Sequence, residues 1–136
     1  MPHIDAYIFF DGTCAEAMRF YEKTLGGKLE GMHTYADVPA GEGQPGDPNR
    51  IMHASMLLDG RRLMASDTPP GQPHERMQGF SLSVHATDVD EGRRLFEALA
   101  EGGQVIMPWV PTFWAKGFGM LVDRFGTPWM ANVGDA

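Results

Sequence analysis

The chain has 136 residues, 43% of them hydrophobic and 21% charged, which suits one compact domain or two half-size modules and excludes a disordered chain. Its formal charge of −7 argues against nucleic acid, because phosphate binding needs Lys and Arg clustered on one face. No apolar run reaches the roughly 18 residues of a membrane span, no basic segment precedes an apolar one at the start, and Cys14 has no second cysteine to pair with, so a cytoplasmic location away from membranes is expected.

Residues 6–22, AYIFFDGTCAEAMRFYE, read as an apolar strand, a polar turn and an amphipathic helix. Thr13-Cys14-Ala15-Glu16 has the form of a capping box, Ala17, Met18, Tyr21 and Leu25 share one face, and Gly26-Gly27 suits a left-handed stop. A strand is expected near Lys28 to Tyr35, then a Gly- and Pro-rich loop over Ala36 to Asn49 that reads as mobile. Met56 to Ser66 read as a hairpin turning at Asp59-Gly60. In the strand leading into it, alternation puts Met52, Ala54, Met56 and Leu58 beneath a helix, and His53, Ser55 and Leu57 on the other face. Pro69-Pro70-Gly71-Gln72-Pro73 is a connector.

The order then starts again. Residues 81–97, SLSVHATDVDEGRRLFE, repeat strand, turn and helix at an offset of about 75 positions, with Asp88 and Glu91 in an Asp version of the capping box. Val89, Phe96 and Leu99 line this helix with Leu95 alongside, and Gly102-Gly103 closes it. A strand near Gln104 to Met107, a short aromatic loop from Trp109 to Phe118 and a hairpin turning at Asp123 to Gly126 complete the half. The expected fold class is α+β, one domain of two βαβββ modules at about 1–68 and 79–136, forming paired curved sheets.

Phe20-Tyr21 with Leu25-Gly26-Gly27 resembles the FY…LGG signature of the vicinal-oxygen-chelate superfamily of glyoxalases, bleomycin-resistance proteins and extradiol dioxygenases. Ile51-Met52-His53-Ala54, Ser66-Asp67, Thr112-Phe113-Trp114 and residues 123–130, DRFGTPWM, are similar to its PhnB-like branch, and the likeness covers nearly the whole chain. Some members of that branch are described as demethylubiquinone methyltransferases. In this sequence no Gly-rich loop follows a strand and opens a helix, as a methyl-donor site would want.

The resemblance implies four metal-ligand points, on the first and last strands of each half. Helix-start and turn spacings map them to Ala6, Met64, Ser81 and Met130, and a slip of one residue brings in Asp5, Tyr7, Ala65 or Trp129. Alanine cannot ligate, serine rarely does and thioethers suit soft copper, so no metal and no cofactor are expected. The family's habit of pairing halves across a two-fold axis implies a homodimer.

His53 is the expected catalytic or polar group, because imidazole titrates near neutrality; a hydrogen-bonded structural role is the alternative. Ser55, Met64, Ser66, Trp114 and Met130 are the expected ligand-binding residues. Trp114 would stand at a pocket mouth, unless it serves the core or a dimer contact, and the methionines would give an adaptable apolar floor. Trp129 is expected to pack inward, Asp67 and Asp123 to belong to turns, and His33, His74 and His85 to the surface or to local structure. Three functions stand: a protein that binds an unidentified small molecule, a metal-free enzyme moving a proton through His53 with Ser66 or Asp67, and a structural or regulatory dimer with a vestigial pocket.

Overall fold

Ile8 and Phe10 are buried whereas Tyr7 and Phe9 are exposed, the period-two pattern of a strand with one face against a helix. That strand is β1 (Ala6–Phe10) in a computed structural model that describes residues 2–37 and 47–134. The chain divides into two compact units, Met1–Glu75 and Arg76–Ala136.

In the first unit β1 is followed by α1 (Cys14–Leu25), β2 (Lys28–Thr34), a 3-10 turn over Tyr35–Asp37, β3 (Ile51–Leu58) and β4 (Arg61–Asp67). The strands form one sheet in the order β1-β4-β3-β2, with β1 and β4 parallel and the other pairs antiparallel. α1 buries Cys14, Ala17, Met18 and Tyr21, spaced three and four apart, against one face of this sheet, where Ala54, Met56 and Ala65 are also buried. Gly26 ends the helix at φ 78°. Gly27 follows because a Cβ there would lie 2.8 Å from the Met56 sulfur. The β3–β4 hairpin turns at Asp59 (φ 49°) and Gly60 (φ 76°), both in the left-handed region that a tight two-residue hairpin requires.

Three sequence expectations need correction in this unit. Thr13 makes no side-chain cap. Asp67 at the end of β4 caps α1 instead, accepting from the amides of Gly12 at 2.8 Å and Cys14 at 3.1 Å with Oδ1, and from Ile51 at 2.8 Å with Oδ2. It therefore joins three segments rather than serving a turn of its own. Met52 is exposed because the register slips there: His33 pairs with His53 but Thr34 with Ile51, which leaves Met52 as the extra residue of a bulge. The expected mobile loop falls largely on residues 38–46, which lie outside the described residues.

The second unit contains β5 (Leu82–Ala86), α2 (Val89–Ala100), β6 (Gln104–Val110), β7 (Gly117–Val122) and β8 (Pro128–Val133), in sheet order β5-β8-β7-β6. Asp88 caps α2 as expected, accepting from the Glu91 amide at 2.8 Å, and Glu91 accepts in return from the Thr87 amide at 3.3 Å. Phe96 and Leu99 are buried, but Val89 is exposed in the first turn and Gly92 takes the buried position above it. The indole of Trp109 occupies the space that side chains at Gly92 and Gly117 would fill. Trp129 packs inward, 4% exposed, and donates to Asp123 at 2.8 Å; the other oxygen of that carboxylate holds the turn through the amides of Phe125 and Thr127. Each sheet thus has one face under a helix and one face without a helix of its own unit. Among the described residues no helix is long and apolar enough to cross a membrane.

Candidate functional site

The face of the first sheet turned away from α1 carries the candidate chemistry. Tyr7 pairs with Met64, and Met64 with Ser55, so these side chains share one row across β1, β4 and β3. Gly31 continues the row on β2, where it pairs with Ser55. In the adjacent row Phe9 pairs with Ser66, and His53 with His33.

Tyr7 reaches diagonally across β4, and its hydroxyl oxygen lies 3.1 Å from His53 Nδ1. The two rings are 5.6 Å apart at their centroids, and Phe9 stands 5.2 Å from Tyr7 on the other side. When Tyr7 donates, Nδ1 accepts and the imidazole proton sits on Nε2, which fixes both the ring and its tautomer. Ser55 Oγ is buried and has no hydrogen-bond partner among the described residues. Such a hydroxyl is costly unless something meets it, and it stands directly between Met64 and Gly31 in the row.

Of the residues expected from sequence, His53, Ser55, Met64 and Ser66 are therefore brought to one sheet face. Trp114 and Met130 belong to the second unit. There Trp114 is half-exposed, edge-on to Phe113 at 4.8 Å and to Phe118 at 5.4 Å. Met130 pairs with Ser83 on one side and Met120 on the other. Asn132 donates to Ser83 at 3.1 Å, and Ser83 meets His85 Nε2 at 3.3 Å, so His85 has a local polar partner.

The four points mapped for metal ligands are corrected by the strand register. Ala6 alternates with Ile8 and Phe10 and so belongs to the helix side of the sheet, and Ser81 precedes β5. The turn before α1 holds three residues and the turn before α2 only two, so the repeat offset is 75 for the helices and 76 for the strands that precede them. The residues beside Met64 and Met130 are Tyr7 and Ser83. Within each unit by itself, a thioether beside a phenol (Met64 and Tyr7) or beside a hydroxyl (Met130 and Ser83) is a poor donor pair for Mn, Fe or Zn. Among the described residues no three His, Cys, Asp or Glu groups converge as a metal site.

Three ionisable groups in or near this sheet are shifted, the Arg62 guanidinium upward by its hydrogen bond to Glu30. Burial pushes the Cys14 thiol up to about 12, with the Asp67 carboxylate adding in the same sense. The Tyr35 phenol is raised by burial first, then by the nearby Tyr7 and Asp67, against an opposing effect of Arg50. Cys14 is therefore an inert core thiol, not one activated by the helix start. Asp67, 1% exposed and holding three amides, is structural and offers no free base.

Sequence reasoning undervalued Tyr7. The alternation of Ile8 and Phe10 against Tyr7 and Phe9 was the available signal for Tyr7. Its meeting with His53 depends on β4 lying between their strands, which no local pattern states. The connector was also undervalued. With Phe9 and Thr68 it walls a cavity of about 580 Å³ that includes His74.

Comparisons agree with this architecture. A family model described as 3-demethylubiquinone-9 3-methyltransferase matches residues 2–131. Protein YjdN of Escherichia coli K12 is 35% identical over 142 residues, covering 98% of this chain and 95% of that protein. The crystal structure of PA1353 from Pseudomonas aeruginosa superimposes with a TM-score of 0.92 at 44% identity, over 100% of both chains. A Bacillus cereus PhnB protein, described as a putative 3-demethylubiquinone-9 3-methyltransferase, matches at TM-score 0.82 and 26% identity, over 98% of this chain and 100% of that one. A glyoxylase/bleomycin resistance protein/dioxygenase domain from Frankia, at 15% identity, TM-score 0.67 and 98% coverage of both chains, shows the shared fold.

Proposed function

Because the chain belongs to the 3-demethylubiquinone-9 3-methyltransferase family, on the PhnB-like branch of the glyoxalase and bleomycin-resistance fold, we propose that it is a small-molecule binding protein that works without the divalent metal of that fold's metal enzymes. The observation that carries this reading is the Tyr7–His53 pair at 3.1 Å, standing on a sheet face beside the thioether of Met64 and the unpartnered hydroxyl of Ser55. A few oriented polar groups within apolar contact area are what a small-molecule site needs. The donors support a metal-free site, since the strand neighbours paired with Met64 and Met130 include no carboxylate or imidazole.

A second reading keeps the same residues and adds chemistry. In the other tautomer, with Nδ1–H donating to the Tyr7 oxygen, His53 Nε2 is free to take a proton from a carbon or oxygen acid and return it elsewhere, while the phenol oxygen goes on accepting from Nδ1–H. The oriented Nδ1 of His53 favours this over a purely structural face. The methyl transfer in the family's description has less support. Among the described residues no Gly-rich loop follows a strand and opens a helix, as a methyl-donor site would want. A cytoplasmic location and a homodimer complete the reading, the latter giving about twice the 15.0 kDa chain mass by light scattering.

Native mass spectrometry of freshly purified protein tests the function. A bound organic species released on denaturation supports the binding reading. Its absence, together with no response to a metabolite library, argues for the scaffold.

A further inference from the structure

We propose that the cavity under the connector, separate from the Tyr7–His53 pair, is a second site for a small organic cation: an ammonium group carried on an aromatic or compact apolar skeleton. The cavity, about 580 Å³, lies within the first unit, where Phe9 and Thr68 meet the prolines Pro69 and Pro73 and the polar pair His74 and Glu75.

Its chemistry follows from hydrogen bonding that is already committed. The Thr68 amide and hydroxyl both donate to the Phe10 carbonyl, at 2.7 and 3.1 Å. His74 Nδ1 lies 2.8 Å from the same hydroxyl. A hydroxyl has one proton, so both contacts are hydrogen bonds together only when His74 donates from Nδ1. In the neutral ring Nε2 is then a bare acceptor. Glu75 contributes a carboxylate that makes no ion pair among the described residues. Phe9 is 45% exposed, and the face of its ring is electronegative.

Among the described residues no Lys or Arg lines the cavity. Arg50, which donates to the Thr68 carbonyl at 3.4 Å, is paired with Asp11 and is not among the lining residues. The lining therefore offers acceptors, a carboxylate and an aromatic face, with no cationic partner for an anion. An ammonium beside Glu75 and His74 Nε2, with its skeleton against Phe9 and the two prolines, satisfies all of them at once. The proposal stands apart from the function above.

Three probes with one ring and different charge decide it: benzylammonium, benzyl alcohol and benzoate, titrated into 15N-labelled full-length protein and followed by amide shifts. Benzylammonium should move the amides of Thr68, Gln72 and Glu75 and bind about tenfold more tightly than the alcohol, with benzoate weaker still. Glu75→Gln should weaken benzylammonium about threefold, and Phe9→Leu by a similar factor. Both positions are exposed, so the fold should survive either change. His53→Ala, whose ring reaches Phe9 only through Tyr7, should change benzylammonium affinity less than Phe9→Leu or Glu75→Gln does. That variant separates failure of this site from failure of the Tyr7–His53 reading. Equal affinity for alcohol and ammonium, shifts confined to other amides, or Glu75→Gln binding like wild type would each overturn the proposal, as would no response to benzylammonium.

Discussion

Tyr7 and His53 stand on strands that are not neighbours, with β4 between them, and the phenol oxygen still lies 3.1 Å from the imidazole Nδ1. The contact exists because β1 runs parallel to β4 and β3 antiparallel to it, which puts Tyr7, Met64 and Ser55 in one row with His53 two residues before Ser55 in its strand. A one-residue slip of β1 would turn Tyr7 toward the helix and abolish the pair.

Asp67 is the first point at which the fold can be broken selectively. Its carboxylate serves the amides of Gly12, Cys14 and Ile51, which belong to three different segments. Asp67→Ala should cost about 2–4 kcal/mol by leaving buried donors unmet. Asp67→Asn should cost less, because one amide oxygen still accepts. Urea unfolding of the two variants beside wild type measures both, and equal stability of Asp67→Ala and wild type would contradict the assignment.

Cys14 supplies a prediction with a definite sign. Its folded thiol is raised from 9.0 to about 12, so between those values the unfolded chain releases a proton that the folded chain keeps. The unfolded state then binds fewer protons, and stability falls as pH rises through that window. Cys14→Ala should flatten the slope there, as read from unfolding curves at a series of alkaline pH values. Below pH 9 the residue contributes no slope. Iodoacetamide at pH 8 should leave the folded thiol unmodified and alkylate it after denaturation, as measured by mass spectrometry.

Gly92 reverses a common rule. A glycine-to-alanine change inside a helix ordinarily stabilises by about 1 kcal/mol. Here the added Cβ would lie 2.6 Å from both Trp109 and Val133. Gly92→Ala should therefore lower stability by about 1–3 kcal/mol through overpacking. A raised melting temperature would show that Trp109 yields more easily than its packing implies.

The donor set beside Met64 and Met130 makes its own prediction. Protein exposed to Mn, Fe, Ni and Zn and then desalted should hold well below one equivalent by elemental analysis. Stoichiometric metal surviving that treatment would overturn the metal-free reading, and its loss in Tyr7→Phe would locate the ligand.

The repeat, the two helices and both hairpins were legible because period and punctuation are local: Ile8 and Phe10 alternate, Ala17, Met18 and Tyr21 recur by threes and fours, and Asp59-Gly60 announces a tight turn. His53 and Ser55 were assigned to the right face for the same reason. What escaped was set by pairing between distant segments. Sheet register puts Tyr7 and Ser83, not Ala6 and Ser81, beside Met64 and Met130, and the one-residue difference between the turns before α1 and α2 changes their offset from 75 to 76. The bulge at Met52 answers to β2, not to its own strand. Thr13 carries the spelling of a helix cap, yet its side chain makes no capping bond, and the Gly12 and Cys14 amides at the opening of α1 are met by Asp67, 54 positions along the chain.

The central claim is that Tyr7 and His53 hold a ligand. The direct measurement is calorimetric titration of a ligand identified by native mass spectrometry into wild type, Tyr7→Phe and His53→Ala, with a thermal melt of each. His53→Ala should weaken binding by about 1–3 kcal/mol, as expected when a polar partner is removed, and Tyr7→Phe by less. Both should melt close to wild type, since the pair lies on an exposed face. A marked fall in melting temperature for His53→Ala, with unchanged affinity in the folded fraction, would contradict the account and make the pair a structural clasp.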